Sequence, residues 1–385
     1  MTSGLDPTTR LVHGPSADLL KVRTVGPPIQ KGSTVLLAKA AALYDEAQPT
    51  YGRGGLATHD ALTSALADLE GASCVRLFPS GLAAMTASIL AVLKSGDEIL
   101  LTDAIYKPTR RFCDQVLRRY GVGVRYHPAD FSPADILGLT TPATRLIVME
   151  SPGSLTMEMQ DIPTIAALAR ARGILTLADN TWAAGRLFKP LAHGVDISVQ
   201  SLTKYVCGHS DIFMGSAATG SGSIAHALDQ AVWDFGWAVS PDDAYQMLRG
   251  LRTLATRMDH HGASSLEVAG WLADHPRVAQ VLHPAMPGAP GHPVWQKDYS
   301  GSAGLFSVIL QPCSAAQVET FLDSLKLFGL GFSWGGFESL ALNGDPQLHV
   351  RRHQSALSGP LVRLNIGLEA PADLITDLAQ ALDAG

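Results

Sequence analysis

The strongest constraint on this 385-residue chain is a series of short apolar segments separated by stretches of helical texture. Residues 74–78, 98–102, 123–126, 144–150, 173–179 and 196–201 read as strands, and 213–219 adds another. None alternates strongly between apolar and polar, as a half-exposed strand would. Between them, 60–70, 80–93, 108–120 and 162–172 read as helices. Continuously apolar strands alternating with helices indicate βαβ units and a mostly parallel sheet covered on both faces. From about residue 243 a long helix is expected to run to about 272. Strands at 304–310, 327–333 and 361–366 then mix with helices at 317–325 and 373–382. The expected fold class is therefore α/β, a mostly parallel sheet flanked by helices plus a smaller α+β C-terminal domain. The boundaries fall at 1–57 for an N-terminal arm rich in proline and glycine, 58–249 for the main domain and 250–385 for the smaller one.

Composition narrows the function. Hydrophobic residues make up 46% of the chain and charged residues 17%, against a usual charged content of about 25%, so much of the chain must be buried. A net charge of −6 argues against a nucleic-acid binder, which usually carries a basic excess. The four cysteines, Cys74, Cys113, Cys207 and Cys313, form no C-x-x-C pair, so neither a zinc ribbon nor a redox dithiol is indicated. Free thiols in a reducing compartment fit better. No apolar stretch of signal-peptide type opens the chain, and its apolar runs fall far short of the roughly 20 residues of a membrane-spanning helix. A cytoplasmic protein is expected, with no partner membrane or nucleic acid.

Three strand ends carry candidate chemistry. In Ser201-Leu202-Thr203-Lys204-Tyr205 a strand runs into two hydroxyl residues and a lysine, one of only nine beside 20 arginines. A lysine there is a Schiff-base amine flanked by phosphate-binding hydroxyls, or simply a surface lysine. Asp179 ends the strand at 173–179 and would face the same crevice, since ligands of open α/β sheets bind beyond the strands' carboxyl ends. Alone, it could equally cap the following segment. Phe78-Pro79-Ser80-Gly81 joins a strand to a helix N-terminus, a place for a phosphate or a plain serine cap. A carboxylate for a pyridine nitrogen plus a lysine for an aldehyde is the minimal pyridoxal phosphate constellation.

Other sites lack their signatures. No G-x-G-x-x-G follows a strand, no lysine follows the glycines of 215–222, and no G-x-S-x-G occurs. His349 with His353, and adjacent His260 and His261, read as surface histidines, so no metal is called for.

Ordered motifs give the chain a wider resemblance. Tyr51-Gly52-Arg53, Phe78 to Ala84, Glu150 to Ser154, Asp179 to Gly185, Ser201 to Tyr205, Gly208 to Asp211, Gly250 to Leu254, Ser333 to Ser339 and Val362 to Glu369 together resemble the pyridoxal-phosphate-dependent Cys/Met metabolism family, of the aspartate-aminotransferase fold type I. The resemblance runs from about Lys31 to the C-terminus. It implies pyridoxal 5'-phosphate as cofactor, linked to Lys204, which also acts as acid and base. Asp179 would pair with the pyridine nitrogen and Tyr106 would stack on the ring. Gly81, Leu82, Ser201 and Thr203 would hold the phosphate, with Tyr51 and Arg53 reaching over from another subunit. Arg363 would take the substrate α-carboxylate, and Ser333 and Trp334 would line its pocket. Taken alone, Arg363 could be only a buried ion pair. Trp334 and Gly153-Ser154 lean toward the β-lyase branch, since γ-acting members tend to have leucine and T-N-P at those places. Gly54 departs from the arginine often found after Y-G-R. The implied enzyme is a homotetrameric carbon–sulfur lyase of methionine biosynthesis that splits L-cystathionine into homocysteine, pyruvate and ammonia. Its in-family rival is a γ-synthase, γ-lyase or sulfhydrylase acting on homoserine esters, cystathionine or methionine.

Overall fold

The computed structural model describes residues 6–13, 24–45, 47–353 and 357–384; the rest of the expected arm, 1–5, 14–23 and 46, lies outside them. Twelve strands are present among the described residues. β1 (Cys74–Phe78), β2 (Glu98–Thr102), β3 (Gly123–His127), β4 (Thr144–Glu150), β5 (Leu175–Asp179), β6 (Ile197–Ser201) and β7 (Gly215–Thr219) form a seven-stranded sheet in the order β1-β7-β6-β5-β4-β2-β3. Only β7 runs against the others, as the unbroken apolar character of the strands requires. β8 (Val278–Leu282), β9 (Leu305–Leu310), β10 (Gly329–Leu330), β11 (Leu340–Asn343) and β12 (Leu361–Asn365) form a second, mostly antiparallel sheet in the order β10-β11-β12-β9-β8.

The helix Gly81–Val92 shows how local sequence builds the core. Ser80 caps it, its hydroxyl accepting from the Ala83 amide at 3.1 Å, which satisfies one of the orphan donors of a helix start. Ala84, Met85, Ala87 and Ile89 are buried against the sheet beside Phe78, Ile99 and Leu101. Alanine keeps the helix close to the strands, and each fully buried large aliphatic contributes about 1.5–3 kcal/mol.

Several sequence expectations change. The single long helix is two, Pro241–Arg252 and Leu254–Ala273. Thr253 breaks the run: its hydroxyl and the Arg257 guanidinium both take the Gly250 carbonyl. The helical stretch at 108–120 likewise splits into Lys107–Gln115 and a 3₁₀ turn, Leu117–Tyr120. The strand expected at 327–333 shrinks to β10, because 331–334 turn toward the larger sheet. Helices Pro7–His13 and Gly222–Asp234 and strands β8 and β11 are additional. No described helix is long and apolar enough to cross a membrane.

His261 corrects a further expectation. His260 is exposed, but His261 is fully buried, its Nδ1 2.7 Å from the Ile366 carbonyl. His127 and His283 are equally buried, and burial lowers all three to about 4 from 6.5. Between those values the unfolded chain binds more protons than the folded one, so stability must fall as pH drops from about 6.5 toward 4. At pH 5 the loss is roughly 2 kcal/mol per histidine. Denaturant midpoints at pH 7.5 and pH 5 check this; equal midpoints would contradict it.

Candidate active site

Three adjacent strands, β4, β5 and β6, end on one cavity of about 580 Å³, into which Glu150, Asp179 and Ser201 project as their last residues. That volume is ordinary for a small-molecule site. The second sheet closes it from above: Arg363 from β12 and the Phe332-Ser333-Trp334 turn line the same space.

Lys204 lies in the tight turn that leaves β6, its main-chain N–H bonded to Ser201 and its carbonyl accepting from Gly208 at 2.8 Å. Its Nζ donates to Ser333 Oγ at 2.8 Å and stands 5.4 Å from the centre of the Trp334 ring. Burial, reinforced by the Arg363 charge and opposed by Asp179, lowers the amine to about 8. A lysine in this range is partly neutral near pH 7, as a base must be.

Asp179 accepts from the Thr181 amide at 3.1 Å and the Thr181 hydroxyl at 2.6 Å, both on Oδ1. Oδ2 has no hydrogen bond from the described residues. Burial lifts this carboxyl above its ordinary value, while Thr181 and the Lys204 charge pull the other way. A protonated ring nitrogen would give Oδ2 the partner it lacks.

The helix start at Ser80-Gly81 reaches the cavity from the neighbouring loop. The amides of Gly81 and Leu82 have no acceptor among the described residues, as first-turn donors do until an anion or cap meets them. A Cβ on Gly81 would overlap the Ser201 side chain, so only glycine lets the helix terminus pack this close. Ser201 is free to offer its hydroxyl here. Thr203 is different: its hydroxyl accepts from the Met214 amide and donates to the Met214 carbonyl, which ties it to the main chain.

Arg363 is 8% exposed, yet no carboxylate faces it among the described residues; Nη2 donates to the carbonyls of Phe332 and Ser333 at 2.9 and 3.0 Å. Burial lowers even this guanidinium to about 10. The alternative of a buried ion pair thus falls away, and the cation is left for a ligand anion. Asn365 accepts from the Gly335 amide and donates to the Glu338 carbonyl, fixing the turn that carries Ser333 and Trp334.

Tyr106 starts the helix Lys107–Gln115 with its ring on the cavity. Tyr51 and Arg53 are elsewhere. Tyr51 is half-exposed, and Arg53 lies 4.5 Å over the Trp233 ring and donates to its carbonyl; neither lines this cavity. Among the lining residues absent from the sequence reading as site residues are Glu150, Thr181 and Gln347. Glu150 accepts from the Tyr106 amide at 2.7 Å and, buried beside Asp179, is raised well above the usual carboxylate range. Its position at a strand end next to Asp179 was a usable signal. Gln347, in the short helix Asp345–Leu348 between β11 and β12, carried none.

A desolvated amine, an acid short of one donor and an open helix terminus ask for a ligand with an aldehyde, a basic ring nitrogen and a phosphate. Pyridoxal phosphate has all three, and the donor set and cavity fit it. The class is thus the pyridoxal-phosphate-dependent enzymes of fold type I.

Comparison with known proteins carries this further. A sequence model of the Cys/Met metabolism PLP-dependent enzymes matches residues 8–383, and the chain belongs to that family. A protein of Rhizobium johnstonii named as a putative cystathionine β-lyase is 44% identical over 98% of this chain and 96% of its own. The Escherichia coli cystathionine β-lyase MetC is 42% identical over 98% and 97%. The crystal structure of metB from Corynebacterium glutamicum superposes with a TM-score of 0.90 at 33% identity, covering 99% of this chain and 98% of that one.

Proposed function

We propose that this enzyme cleaves the Cβ–S bond of L-cystathionine, releasing homocysteine, pyruvate and ammonia, with Lys204 as its acid and base. The observation that carries the reading is one cavity holding a lysine depressed to about 8 beside an arginine with no acid partner among the described residues. Such a pair suits removal of a proton next to a carboxylate. The relatives named as cystathionine β-lyases support the substrate.

Each residue then has a task. Arg363 binds the α-carboxylate through its unbonded guanidinium edge, a bidentate fit that lysine cannot copy. Asp179 and Lys204 would hold pyridoxal phosphate, which would supply an electron sink for the pair left at Cα. Asp179 holds the proton on the ring nitrogen. Neutral Lys204 removes the Cα proton and, as ammonium, returns it to the departing sulfur. Ser333 Oγ keeps Nζ on the Trp334 side of the cavity. Tyr106 covers the ring, and the Gly81 and Leu82 amides with Ser201 hold the phosphate; Thr203 joins them only by giving up Met214.

Tyr51 and Arg53 lie off their own chain's cavity, which supports a site shared between subunits of a homotetramer built from paired dimers. The four unpaired cysteines support a cytoplasmic setting. The substrate is tested by turnover of L-cystathionine with both keto acids quantified. Pyruvate is expected. α-Ketobutyrate as the main product would move the enzyme to the γ-acting rivals, whose chemistry also removes a proton from Cβ.

A further inference from the structure

Behind the lysine turn, away from the cavity, lies a second buried cation. Arg257 is 7% exposed on the helix Leu254–Ala273, and no carboxylate pairs with it among the described residues. Its donors go almost wholly to main-chain carbonyls. Nη1 reaches Tyr205 at 2.6 Å, and Nη2 reaches Gly250 at 2.7 Å and Val206 at 3.3 Å. Nε donates to Thr253 Oγ1 at 3.0 Å.

Tyr205 and Val206 are the two residues after Lys204. The packing around them leaves no slack. A Cβ on Gly208 (φ +70°) would overlap the guanidinium, and one on Gly250 would overlap the carbonyls of Val206 and Cys207. A buried charge is costly unless its donors are met. Here they are met chiefly by the turn that presents the amine and by the end of the helix Pro241–Arg252. Core packing alone would be served as well by an apolar side chain.

We propose that Arg257 is a positioning residue for Lys204: it clamps the Tyr205 and Val206 carbonyls to Gly250 and so keeps the lysine amine at Ser333 inside the cavity. This rests on the reading of Lys204 as the reactive amine. The charged groups acting on Lys204 are Asp179 and Arg363; those beside Arg257 are Cys207 and His261. Loosening the turn lets water reach Nζ, which weakens the desolvation that depresses it.

The test is trace acetylation of the full-length chain, freed of cofactor, across pH, with each lysine followed by peptide mass. In Arg257→Gln and Arg257→Lys the midpoint for Lys204 is expected to rise by about one pH unit or more, toward the ordinary lysine range, while exposed Lys297 is unchanged. Arg257→Lys keeps the charge and most of the length, so it decides the matter if Arg257→Gln does not fold. A lower melting temperature with Lys204 still titrating near its wild-type midpoint would overturn the proposal. A wild-type Lys204 that titrates like an ordinary lysine would overturn the site reading beneath it, and no substrate enters either result.

Discussion

Lys204→Ala is expected to lower turnover of cystathionine by at least about 10⁴-fold, because one amine serves as both base and acid. The effect should fall on kcat, since Arg363 and the phosphate cradle remain. Binding of added pyridoxal phosphate should weaken but persist, held by the Gly81 and Leu82 amides and by Asp179. Stability should change little: among the described residues the amine makes one hydrogen bond, to Ser333, and its removal relieves a buried charge. Steady-state kinetics with a cofactor titration check all three points. A variant retaining more than a few per cent of wild-type kcat would show that another group moves the proton.

Arg363→Lys is the second large effect. The guanidinium does two jobs, holding the Phe332 and Ser333 carbonyls and presenting its other edge to the cavity. Lysine keeps the charge but loses the planar fork, so two charge-assisted bonds to a carboxylate become at most one. At about 1.5–3 kcal/mol for the one such bond lost, kcat/KM should fall roughly 10- to 150-fold. Because the Ser333 turn also loosens, kcat should drop as well as KM rise. An unchanged KM would place the carboxylate elsewhere.

The sequence was most legible where one residue type had one physical use. Apolar strands without alternation announced the larger sheet, and β1, β2 and β4 fall on the expected residues. Lys204 and Asp179 were legible because charges at the ends of buried strands need a reason. Less was readable where tertiary contacts decide. Nothing local shows that Arg257 and Thr253 would compete for the Gly250 carbonyl and break a proline-free helix. His260 and His261 read alike as surface histidines, but adjacent helical positions point about 100° apart, and which one faces the core follows from packing. Glu150 lay inside a quoted motif, yet its contact with the Tyr106 amide joins the end of β4 to a helix start 44 residues away in sequence. Arg363 stood open in sequence between ion pair and ligand site until the described residues around it were seen to hold no acid.

The central claim is that Lys204, alone among nine lysines, carries the cofactor. Borohydride reduction of the purified enzyme followed by peptide mapping tests it most directly. The pyridoxyl group is expected on the peptide containing Lys204, at close to one per chain, with the visible absorption lost in step. Label on any other lysine, or none on a protein that still turns over cystathionine, would contradict the account.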